Sequence, residues 1–136
     1  MIDLIDALHF HHIGVACRSL SIEQRGWEAL GYRQEGVPFS DPLQGVCGMF
    51  LTGPGPRVEL LEPLPGSETL SPFLKAGVKM YHYAYETPAL GPAIEALKAK
   101  RAKIVSPPKP AVAFGGRNVT FLVLSTSMIV ELIEMA

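Results

Sequence analysis

Each half of this chain carries one histidine and one glutamate in strand-like segments, at nearly the same interval. His12 in HFHHIGVA and Glu59 in RVELLEP are 47 residues apart, and His82 in MYHYAYET and Glu131 in MIVELIE are 49 apart. A duplicated module that supplies one imidazole and one carboxylate per copy is a plausible way to build a four-ligand metal centre on a pseudo-two-fold axis. The pattern points to a small metalloprotein, with an enzyme as the leading class.

The order of elements repeats as well. Residues 10–17 alternate like a strand. SLSIEQRGWEALG then reads as a helix, with Ser19 or Ser21 as N-cap, Ile22, Trp27 and Leu30 on its inner face and Gly31 as its stop. A short strand at 32–35, a polar loop holding Pro38, Asp41 and Pro42, and strands at 45–51 and 57–62 complete a βαβββ module. The connector PLPGSETLSPFLKAG has one or two helical turns within 67–77. The second copy follows: a strand at 79–87, the amphipathic helix PALGPAIEALKAKRA with Leu90, Ile94 and Leu97 in phase, and strands at 103–105, 118–124 and 128–135. The proline-rich SPPKPAVAFGG is expected to be a loop. Strand polarity sets His82, Ala84 and Glu86 on one face and Tyr81, Tyr83 and Tyr85 on the other. Each ligand candidate can thus point into one shared concavity.

Composition bounds the class. A chain of 136 residues with 48% hydrophobic content is one domain that buries a real core, with module one at about 8–64, the connector at 65–77 and module two at about 78–136. No long apolar run suggests a membrane span, and MIDLIDALHFHH is acidic where a signal peptide would be basic and then apolar, so a cytoplasmic protein is expected. A formal net charge of −1 gives no general pull toward nucleic acid or membrane, despite the basic run from Lys98 to Lys103. Cys17 and Cys47 fit neither a zinc spacing nor a disulfide scaffold. The expected partner is a small-molecule substrate.

With HHIGVA, VELLEPL, YHYAYE and VELIE at these intervals, the chain resembles the vicinal oxygen chelate superfamily (glyoxalase I, extradiol dioxygenases, bleomycin-resistance proteins) from about Phe10 to Glu134. The stretch DPLQGVCGMFLTGPGPRVELLEPL, the PFL segment and FGGRNVTFL are most similar to its methylmalonyl-CoA epimerase branch. The resemblance implies an α+β fold, two βαβββ modules forming a curled mixed sheet around a metal-binding cavity. By motif match His12, Glu59, His82 and Glu131 are the metal ligands, His12 being chosen over His11 by that match and by its register with Gly14 and Ala16. It also implies a homodimer. Imidazole and carboxylate ligation without thiolate suits one divalent ion, Co²⁺, Mn²⁺, Ni²⁺, Zn²⁺ or Fe²⁺.

Four protein ligands leave two positions of an octahedral shell for two neighbouring substrate oxygens. For an epimerase these are a thioester and a carboxylate oxygen, and the reaction removes and returns an α-proton. An α-proton of pKa about 20 against a base near 7 leaves a gap of about 18 kcal/mol. One hydrogen-bond donor supplies roughly 3 to 4 kcal/mol and cannot close it, whereas a divalent cation on the developing enolate oxygen supplies a large part. The resemblance implies two proton carriers, one of them Glu131 and the other a carboxylate after the QGV turn. Aligning Gln44, Gly45 and Val46 on that turn puts Gly48 at the second position, leaving Glu62 or Asp41 as substitutes. A related substrate, or a one-base isomerase or lyase, fits this departure better than strict identity with an epimerase.

A glyoxalase I type lyase would use the same four ligands, but its two glutathione anchors are replaced here by Ala16 and Pro63. An extradiol dioxygenase would use two histidines and one glutamate, usually on a longer chain. A non-catalytic binding or resistance protein would be expected to lose ligands. For substrate binding, Arg117 in FGGRN is a candidate for a carboxylate, and Phe50 and Phe114 for an acyl pocket.

Overall fold

The computed structural model describes residues 7–136. The expectation about a leader rests partly on residues 1–6, outside the described ones. The described chain runs β1 (His9–Ala16), α1 (Leu20–Ala29), β2 (Arg33–Asp41), β3 (Val46–Thr52), β4 (Val58–Pro63), α2 (Ser71–Ala76), β5 (Met80–Thr87), α3 (Leu90–Ala99), β6 (Lys103–Pro110), a 3₁₀ turn (Val112–Phe114), β7 (Asn118–Val123) and β8 (Ile129–Glu134). It divides into two compact units, His12–Tyr81 and Met1–His11 with His82–Ala136.

In the first unit the strand order is β2-β3-β4-β1. β1 runs parallel to β4 with Gly14 opposite Glu59, while β2, β3 and β4 pair antiparallel. α1 begins where the Ser19 hydroxyl accepts from the Ile22 N–H, as an N-cap should, and the chain leaves it through Gly31 at φ 101°. The helix packs Leu20 and Trp27 against Ile13, Val15, Tyr32, Met49, Leu51, Val58 and Leu60. The expected inner face of Ile22, Trp27 and Leu30 is therefore corrected at two positions, since Ile22 and Leu30 are exposed. Leu20, Glu23 and Trp27 form the real stripe, and Glu23 meets its neighbour by accepting from the Trp27 indole N–H at 3.0 Å. The other face of the sheet packs Ala16, Val46 and Leu61 against Leu70, Phe73 and Leu74 of the connector.

The second unit repeats the scheme as β5-β8-β7-β6, with β5 parallel to β8 and β6, β7 and β8 antiparallel. Leu90, Ile94 and Leu97 pack α3 onto Leu122, Val130 and Leu132, as their spacing predicts. Two loop expectations give way to strand. β2 continues to Asp41 through an irregularity between Glu35 and Phe39, and β6 continues to Pro110 through two irregularities. Both strands end the order of their unit, and an edge strand can hold prolines because one row of its N–H groups pairs with nothing.

Candidate metal centre

β1 and β4 lie side by side, so His12 and Glu59 reach the same face from adjacent strands. His12 is fully buried and its Nε2 lies 3.0 Å from Glu59 Oε1. Phe50, directly opposite Glu59 on β3, sets its ring edge-on to the imidazole at 5.4 Å between centroids. The second unit repeats this arrangement. His82 Nε2 lies 3.3 Å from Glu131 Oε1, and Phe121, directly opposite Glu131 on β7, meets the His82 ring edge-on at 5.2 Å. Phe121 was missed by sequence reading, although it precedes its glutamate by almost the interval that separates Phe50 from Glu59.

Each unit thus offers one buried imidazole nitrogen beside one buried carboxylate oxygen, His12 with Glu59 and His82 with Glu131. The donor set fits a divalent ion. Ligands about 2.1 Å from a metal stand about 3.0 Å apart when cis in an octahedron and about 3.4 Å in a tetrahedron. The His–Glu separations of 3.0 and 3.3 Å span that range. Buried carboxylates need a compensating cation, which such an ion supplies.

The other site candidates fall elsewhere. His11 stacks edge-on with Phe114 at 5.3 Å, and His9 is exposed. Arg117 is held by the fold: its guanidinium donates to Glu86 Oε2 at 3.1 Å and to the carbonyls of Glu134 and Phe114 at 3.0 Å. Glu62 points to the helix side of β4. One of its oxygens accepts from the Leu20 N–H at the start of α1, and the other from the Cys47 thiol. Asp41 accepts from the Gln44 N–H and shapes the turn into β3. It lies directly opposite Val46, on the Glu59 face but two strands and four residues away, which is roughly 16 Å along a flat sheet.

Gly48 shares the Glu59 face, with Phe39 opposite it on β2 and Leu61 on β4. A Cβ there would collide with the Leu60 carbonyl oxygen and come within 2.8 Å of a Leu61 methyl and 3.0 Å of the Phe39 ring. Any side chain there, a carboxylate included, would force the backbone of β4 to shift. Phe39 and Leu61 make this part of the wall apolar.

A 310 Å³ depression lies between α1 and the connector, lined by Cys17, Ile22, Phe73 and Lys79 among others. Among the described residues no helix is long and apolar enough to cross a membrane.

Comparisons with known proteins give the family and the fold. Residues 11–121 match the model of the Glyoxalase/Bleomycin resistance protein/Dioxygenase superfamily. An ethylmalonyl-CoA/methylmalonyl-CoA epimerase from Cereibacter sphaeroides is 26% identical over 114 residues, covering 82% of this chain and 85% of that protein. Among solved structures, a hypothetical protein from Bacillus halodurans superimposes with a TM-score of 0.81 at 24% identity over 96% of both chains. Methylmalonyl-CoA epimerase from Mycobacterium tuberculosis gives 0.78 at 20% identity, over 94% of this chain and 88% of that one. These structures share the fold, an α+β arrangement of two βαβββ modules in a curled mixed sheet. The chain belongs to the Glyoxalase/Bleomycin resistance protein/Dioxygenase superfamily, the vicinal oxygen chelate proteins, and its neighbours there are methylmalonyl-CoA epimerases.

Proposed function

We propose that this protein is a divalent-metal-dependent isomerase that removes and returns the α-proton of an acyl-CoA-like substrate. The observation that carries the proposal is the buried His–Glu pair present in each unit, with nitrogen and oxygen 3.0 and 3.3 Å apart. His12, Glu59, His82 and Glu131 would hold the ion. When bound, a divalent ion supplies Lewis-acid stabilisation of the charge that develops on a thioester oxygen. Phe50 and Phe121 fix the two imidazoles by edge-on packing and keep water from that side of each ring. Glu131 is the proton carrier in this scheme. The relatives named methylmalonyl-CoA epimerase support the substrate class, and a Streptomyces coelicolor epimerase variant with 2-nitronate-propionyl-CoA, at 23% identity, has the same fold.

Inversion at carbon needs a proton carrier on each face of the enolate, and the wall formed by Gly48, Phe39 and Leu61 carries none. The protein should therefore exchange the α-proton faster than it inverts the centre. The test is metal content of the purified protein, followed by deuterium incorporation and inversion of methylmalonyl-CoA with metal present and removed. About one ion per chain and metal-dependent exchange exceeding inversion are expected. Metal without exchange would discard the isomerase, and no metal after reconstitution would discard the centre.

A further inference from the structure

The two units place different residues at equivalent points of their ladders. In the first unit the residue opposite Gly48 on the outer strand is Phe39. In the second, Val119 stands two residues before Phe121 as Gly48 stands two before Phe50, and the residue opposite Val119 on β6 is Lys109. Directly paired residues of an antiparallel ladder point to the same face. Val119 lies opposite Ile133 and Phe121 opposite Glu131, so Lys109 shares the face that carries Glu131. The helix-side face is accounted for separately by Leu122, Val130 and Leu132.

Three observations set Lys109 apart from the other cations of this unit. It is half-buried, whereas Lys103, at the other end of β6 and on the same face by its pairing with Val123, is exposed. Its ammonium makes no hydrogen bond or ion pair among the described residues, whereas the guanidinium of Arg117, the other half-buried cation of the unit, is committed to Glu86. It lies between Pro108 and Pro110, and a residue before proline is confined to extended backbone, so the direction of its stem is fixed before any ligand arrives. Two strand spacings and two residues separate its Cα from that of Glu131 by roughly 12 Å, of which the extended lysine stem covers about 6 Å. The ammonium therefore reaches the edge of the space around Glu131.

We propose that Lys109 receives an anionic carboxylate of the substrate beside the metal centre. The proposal rests on the metal-dependent acyl-CoA function above. It makes Lys109 a specificity-determining residue that selects an acyl group ending in a carboxylate over one that does not. An ammonium held near a carboxylate on a half-buried wall is screened less than a surface pair, so the discrimination it gives is measurable.

The test compares binding of malonyl-CoA and propionyl-CoA, which differ by that carboxylate, to metal-loaded protein by calorimetry. The parent protein should bind malonyl-CoA more tightly. Lys109→Ala should weaken malonyl-CoA about tenfold or more and leave propionyl-CoA within twofold, Lys109→Arg should restore most of the preference, and Lys103→Ala should behave as the parent. Equal weakening of both ligands, or none, overturns the role of Lys109 while leaving the centre and its chemistry standing. A parent that binds both ligands equally also overturns it. Failure of the parent to bind either ligand, with metal bound, overturns the acyl-CoA function itself and Lys109's role with it.

Discussion

Glu59 and Glu62 stand three residues apart on one strand and do different work, because alternation sends them to opposite faces. Glu59 meets an imidazole, and Glu62 holds the first N–H of α1 and the Cys47 thiol. Removing a ligand carboxylate should remove the metal: Glu59→Ala and Glu131→Ala should each lower bound metal at least tenfold, as read by elemental analysis, while Glu62→Ala should leave metal content near the parent's and cost about 1 kcal/mol by urea unfolding. The two thiols flank Glu62 from neighbouring strands, about 10 Å apart across two strand spacings, too far for a disulfide. Burial first, and then the neighbouring Glu23 and Glu62, push the Cys17 thiol from 9.0 up to about 12. Folded and unfolded thiols are both neutral below pH 9. From there toward 12 the unfolded chain ionises first, so this group's contribution to stability falls as pH rises. The urea midpoint of the parent should drop more between pH 8 and pH 10.5 than that of Cys17→Ala, and iodoacetamide at pH 8 should label Cys17 far more slowly in the folded protein than in the denatured one.

β3 is the element whose sequence and structure bind most tightly to each other. Gly48 lets β4 approach so closely that the Leu60 carbonyl occupies the place of a side chain. Gly48→Ala should destabilise the protein by about 2 kcal/mol in urea unfolding, with little change in metal content. The duplicated order of strands and helices was legible from alternation and from helical spacing, and so were α3's inner face and the Ser19 cap. The His–Glu pairs were legible because a two-residue period fixes which side chains share a face. α1's inner face was not, because its apolar residues are few and Leu20 and Trp27 are completed by a polar Glu23. The lengths of β2 and β6 escaped for a different reason. Proline and glycine normally stop a strand, and only a position at the end of the sheet order, which no local window reveals, permits them to continue. Lys109 escaped with β6, since a lysine in an assumed loop has no face.

At the scale of the whole molecule, stability and metal occupancy should be linked. An ion at a hundredfold excess over its dissociation constant adds about 2.7 kcal/mol, so chelation should lower the melting temperature by roughly 10 °C in a chain of this size. No change on chelation would argue against a buried ion. A homodimer is also predicted, to be checked by light scattering on the eluted protein. The run Pro107, Pro108 and Pro110 on β6 limits how such copies meet. A strand short of N–H donors is a poor template for a continuous ladder, so pairing of copies along that border is disfavoured.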